Sequence, residues 1–183
     1  MRHLLSLIRP VLVLIFLANW GAVAAQPADP ATYEELLSAL GSANSQSEAD
    51  LLAAKVWDVW LTAPDEAAQA VLDTAMERRQ AYDFRGAIAE LDRLVASYPD
   101  YAEGWNQRAT MYFMVGDLKA SLADVDEVLS REPRHFGALA GKGMILFQQG
   151  KVALAQLAVR EGLRHHPFLR ESAILGSDQG TEL

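Results

Sequence analysis

A gap-free 34-residue period runs through the middle of this chain and constrains its fold more than any other feature. Pro99, Pro133 and Pro167 stand at equal spacing. Ala87, Ser121 and Ala155 share one small column, and Leu91, Val125 and Val159 follow one helical turn later. Earlier in each unit Val71, Trp105 and Leu139 align, then Ala75, Ala109 and Gly143, and the turn residues Gly116 and Gly150. Residues 101–133 show the unit most clearly. Trp105, Ala109 and Tyr112 fall at i, i+4 and i+7, one face of a helix, and Ser121, Val125 and Val128 do the same, with Leu118, Leu122 and Leu129 widening the stripe. The spacing predicts two helices joined at Val115-Gly116-Asp117. One such hairpin leaves apolar surface uncovered and needs a neighbour, which the period supplies.

These columns resemble the tetratricopeptide repeat. That family carries a large, a small and an aromatic residue on the first helix, small then apolar residues on the second, and a closing proline. Trp105, Ala109, Tyr112, Gly116, Ser121, Val125, Val128 and Pro133 fill the pattern in the unit 102–135. The unit 136–169 departs from it, with Leu146 in the aromatic column and Gly162 in the column of Val128. The unit 68–101 has Arg78 in the aromatic column and Tyr82 in place of the turn glycine. Residues 34–67 shift onto the same register. Leu37 and Gly41 enter the first-helix columns, and Ala53, Trp57 and Trp60 enter those of Ala87, Leu91 and Leu94. This segment reads as a degenerate first unit, the alternative being an unrelated hairpin that caps the same apolar face. In either case Trp57 and Trp60 are core residues. The resemblance implies an all-α fold of helical hairpins stacked in a right-handed superhelix.

Capping signals place the helix starts. Thr32 with Glu35 has the capping-box spacing for a helix to Leu40, and a second helix is expected over residues 48–62. Asp65, Asp83 and Asp117 each precede an apolar-periodic stretch. A last pair is expected over 135–149 and 152–165, then a short helix over 167–175 that covers the open end. Residues 170–183 thus form a C-terminal cap followed by a polar tail.

Residues 1–25 read as a secretory signal peptide: Arg2 and Arg9, an apolar run over 11–17, then small residues suited to cleavage after Ala25. The alternative is an uncleaved anchor, but the apolar stretch is shorter than the roughly 20 residues of a membrane span. Residues 26–33 then form a linker. Loss of residues 1–25 removes two arginines and no acid and moves the net charge from −8 to −10. So acidic a chain is a poor match for nucleic acid, whose binding rests on neutralised phosphates, or for anionic lipid. The expected location is periplasmic or secreted, with no membrane contact in the mature form.

No catalytic constellation emerges, and the expectation is a protein that is not an enzyme and has no cofactor or metal. Cysteine is absent, so no thiolate nucleophile or cysteine metal site exists. The stretch from Gly137 to Gly143 is one residue too short between glycines for a phosphate loop, and Gly143 is explained as a packing position. His165 and His166 point about 100° apart on a helix and suit its C-terminal dipole better than a shared ion. Asp124, Asp126 and Glu127 read as a solvated helix face.

The resemblance also implies a concave surface lined by the first helix of each unit. Column by column, that surface takes Gln69, Leu72, Met76 and Arg79, then Glu103, Asn106, Thr110 and Phe113, then Gly137, Ala140, Met144 and Phe147. Some members of the family hold a terminal carboxylate with lysines and asparagines here. Only Asn106 matches such a clamp. Leu72, Met76, Arg79, Asn106, Thr110, Phe113, Met144 and Phe147 are therefore the expected partner-binding residues, for a protein or peptide offering a helical or extended apolar segment. The alternatives are a groove covered by the chain's own N-terminal hairpin, and a scaffolding accessory subunit of a periplasmic complex.

Overall fold

The computed structural model describes residues 30–176. The signal-like segment, residues 26–29 of the linker and residues 177–183 of the tail lie outside the described residues. The described chain is all-α: α1 Pro30–Gly41, α2 Gln46–Trp60, α3 Glu66–Gln80, α4 Phe84–Ser97, α5 Ala102–Met114, α6 Leu118–Arg131, α7 Phe136–Gln148 and α8 Val152–His165. A short 3-10 helix, Arg170–Gly176, follows. The aspartates start the helices as their positions imply. Asp65, Asp83 and Asp117 accept the backbone N–H of Ala68, Gly86 and Ala120 at 2.8, 2.9 and 3.0 Å. Two starts differ from expectation. Helix α1 begins at Pro30, so Thr32 lies inside it, and α2 begins two residues early because Ser45 accepts the Glu48 N–H. The terminal helix also starts later than residue 167, because the chain first turns through Pro167 to Leu169.

Helices α3–α4, α5–α6 and α7–α8 form three hairpins, stacked through α4 on α5 and α6 on α7. One core holds Leu72, Ala75, Ala87, Leu91 and Leu94, and the next holds Ala109, Val125, Val128, Ala138 and Ile145. The small columns admit a neighbouring helix. A Cβ on Gly143 would lie 2.5 Å from Val159, and one on Gly162 would lie 2.8 Å from Leu169. Gly162 thus replaces the valine of the preceding unit to make room for Leu169.

Polar contacts link the stack. Arg108 on α5 donates twice to Asp124 on α6 (2.7 and 2.8 Å), once to Asp92 on α4 (2.8 Å), and lies 4.9 Å over the Trp105 ring. The hydrogen bonds to Asp124 raise the Arg108 pKa above its ordinary value. Asp124 is therefore not on a solvated face; it is 5% exposed, and burying it requires this partner. Asp126 and Glu127 are exposed and pair with Lys142 and Arg131. Arg78 in the aromatic column has a matching reason. Its guanidinium reaches Asp83 at 2.8 Å and Glu90 at 3.4 Å, and Glu90 occupies the column of Asp124 one unit earlier.

The N-terminal hairpin does not extend the stack next to α3 as a first unit would. Its helices α1 and α2 pack on α7 and α8, and Leu37, Leu40, Ala49, Ala53, Val56 and Trp60 share a core with Phe136, Ala140 and Leu169. A Cβ on Gly137 would meet the Trp57 ring at 2.7 Å, and one on Gly41 the Arg164 carbonyl at 3.2 Å. Trp60 is a core residue and Trp57 packs half-buried against the same core, both in contact with the last unit.

Gly116 and Gly150 adopt φ of 82° and 73°, and Tyr82 adopts φ of 60° in the same column. Left-handed backbone costs a side-chain-bearing residue roughly 1–2 kcal/mol, of which glycine's extra chain entropy offsets a part. Tyr82 is 80% exposed and gains only an edge contact to Phe84. Tyr82→Gly should stabilise the fold by about 0.5–1 kcal/mol in urea denaturation, whereas Gly116→Ala should destabilise it by about 1 kcal/mol. A loss of stability on Tyr82→Gly would contradict the strain assigned to this turn.

Candidate functional site

A buried polar network lies where the N-terminal hairpin meets the inner helices. The Glu103 carboxylate on α5 is 1% exposed and His135, at the start of α7, is 0% exposed. The His135 Nδ1 accepts the Ala138 N–H at 3.1 Å, capping α7, so the ring proton sits on Nε2 and is donated to Glu103 Oε2 at 2.9 Å. Asn106 and Gln107 donate their amides to the same carboxylate. Arg79 on α3 donates to Gln107 Oε1 at 3.2 Å. Both oxygens of the buried acid thereby accept hydrogen bonds, as burial of such a group demands.

Trp60 closes the network. Its ring stacks on His135 with centroids 3.8 Å apart and planes 12° from parallel. Its indole N–H donates to Tyr33 Oη at 2.8 Å, and the Tyr33 hydroxyl donates to Glu132 Oε2 at 2.7 Å. Burial first, and then the bond to Glu132, raise the Tyr33 phenol well above its ordinary value, so it remains a donor. Tyr101 donates to the Trp60 carbonyl at 2.8 Å. The hairpin is therefore joined to α5 and α7 by groups satisfied on both sides.

Beside this joint, α5 and α7 leave a cleft of about 100 Å³ with Asn106, Thr110, Phe113 and Met144 around it and Gly141 at its wall. A Cβ on Gly141 would meet nothing within 4 Å, so bare α7 backbone faces open space. The cleft continues into a second of about 300 Å³ between α2, α5, α7 and the segment leading into the 3-10 helix. Trp57, Phe136 and Phe168 give it aromatic walls, and Asp50, Arg170 and Glu171 add charge.

The expected partner-binding residues divide by position. Asn106, Thr110, Phe113 and Met144 come together around the first cleft. Leu72 does not join them; at 1% exposure it fills the core between α3 and α4, because its face of α3 turns toward the partner helix of the hairpin. Met76 packs half-buried against the same core. Arg79 is held by Gln107 and lies with Thr110 and Met111 around a separate hollow. Phe147 is half-buried and lines neither cleft. Trp57, His166, Phe168 and Arg170 were missed, because they belong to the two chain ends that fold over the third unit. The one sequence signal for them was the run of small residues Gly137, Ala140 and Gly141 on α7, which leaves space for another element.

No described helix is long and apolar enough to cross a membrane, and no group of three His, Cys, Asp or Glu among the described residues could hold a metal ion. The tetratricopeptide repeat profile matches residues 72–126 and 113–168, more than half of the chain. A tetratricopeptide repeat-containing protein of Rhizobium etli is 42% identical over 98 residues, covering 52% of this chain and 45% of the relative. The chain thus spans about half the length of the curated relative it matches. Repeats of this kind generally mediate protein–protein interaction and are typically non-catalytic. With its three stacked hairpins, its 34-residue columns and this match, the chain belongs to the tetratricopeptide repeat family.

Proposed function

We propose that this protein is a non-catalytic interaction module that binds an extended, largely apolar segment of another protein along the joined clefts between α5 and α7. The observation that carries this reading is the pairing of exposed Met144 and half-buried Phe113 with the open backbone at Gly141. Methionine and phenylalanine offer adaptable apolar contact, and an open glycine lets a second main chain approach. A helix is a poorer fit than an extended strand. With side chains it is about 10–12 Å across, and the N-terminal hairpin already covers the first turn of α7.

The reading is tested with random displayed peptides selected on the protein, followed by affinity measurement on wild type and Met144→Asp. Met144 is 38% exposed, so a carboxylate there should leave the melting temperature nearly unchanged. The affinity of selected peptides should fall by about tenfold or more, as for a central interface residue. Undiminished binding by the variant would move the interaction away from this cleft.

We also read residues 1–25 as a cleaved export signal and place the mature protein in the periplasm or outside the cell. The positive start, the apolar run over 11–17 and the small residues up to Ala25 support this. N-terminal sequencing of the protein recovered from its source cells should begin at Gln26; an intact Met1 would refute cleavage.

A further inference from the structure

The larger cleft holds two polar side chains with unused hydrogen-bonding atoms. Asn106 is 8% exposed, and its amide nitrogen is committed to Glu103 while its Oδ1 has no donor among the described residues. His166 is 7% exposed; its Nδ1 accepts the Phe168 N–H at 3.3 Å, which leaves an Nε2–H donor with no acceptor among the described residues. Both side chains are largely buried while these atoms open on the cleft, so a ligand entering it meets an acceptor and a donor held in fixed positions. Around them stand Trp57 and Phe168, whose faces suit an aliphatic stem, and the carboxylates of Asp50 and Glu171.

Resting on the peptide-binding reading above, we propose that this cleft is a subsite for a lysine or arginine side chain of the bound segment. The stem lies between Trp57 and Phe168, and the cation faces Asp50, Glu171 and Asn106 Oδ1. The His166 Nε2–H donates to a main-chain carbonyl of the same residue. Asp50 carries a hydrogen bond from Gln46 at 2.7 Å, and Glu171 has no salt-bridge partner among the described residues. Arg170 at the mouth offsets one of the two negative charges, so the cleft keeps an excess of one acid. Burial lowers the His166 pKa, with Asp50 and Glu171 opposing it, so the imidazole is neutral at pH 7 and does not repel a cation. The net charge of −8 draws basic segments toward the protein.

The test is a titration of the 15N-labelled protein with three blocked amino acids, the N-acetyl methylamides of lysine, norleucine and glutamate. The lysine probe should saturably shift the Trp57 indole N–H and the Asn106 side-chain amide, and the other two should not. Asp50→Asn with Glu171→Gln should weaken the lysine probe by about tenfold, and so should a rise in salt from about 20 to about 200 mM. Equal shifts from norleucine would overturn the charge assignment and leave the peptide-binding reading standing. Preference for glutamate would mean that Arg170 sets the sign, and silence from all three probes would remove the subsite. Failure of the peptide-binding reading itself shows separately, in the displayed-peptide selection.

Discussion

The stack of Trp60 on His135 is the contact on which the arrangement of this molecule depends. Below it, His135 and two amides satisfy the Glu103 carboxylate, and beside it Tyr33 links the indole to Glu132. An unpartnered acid at 1% exposure would cost several kcal/mol, so α5 and α7 must be held in register for the network to exist at all. The same register sets the width of the cleft beside it. Fold and candidate site thus share one set of hydrogen bonds.

Repeat arrays usually have open ends, and each end unit exposes an apolar face. This chain covers its last unit twice, with the α1–α2 hairpin and with the segment from His166 to Gly176. Both coverings meet over Phe136 and Ala140. Closing the end in this way creates the larger cleft, because the two coverings meet the inner helices without filling the space between them. The candidate site is thus a by-product of capping, and the cap supplies its aromatic walls and charge.

Much of this was legible in the sequence. The 34-residue columns located every hairpin of the stack, and the three aspartate caps sit where their spacing placed them, because helix starts are decided by residues within one turn. The placement of α1–α2 was not legible. A residue's column states which way it faces, and Trp57 and Trp60 do face a core; it does not state which neighbour supplies that core. Asp124 escaped for a related reason. Its partner Arg108 is 16 residues away on another helix, so the run of acids around it looked like solvent-facing charge. Leu72 was misplaced because its column is buried in every unit: Asn106 and Ala140, its counterparts, are buried as well. Being apolar, Leu72 there joins the hairpin core.

Native-state hydrogen exchange tests the central claim most directly, since it reports the free energy at which each helix opens. If the Trp60–His135–Glu103 joint holds the molecule together, the slowest amides of α2 and α7 exchange with the same opening free energy. Trp60→Ala then lowers both together, by about 3–5 kcal/mol for loss of a buried tryptophan. Exchange of α2 at a much lower free energy than α7, with α7 unmoved by Trp60→Ala, would show a loosely attached hairpin and contradict the claim.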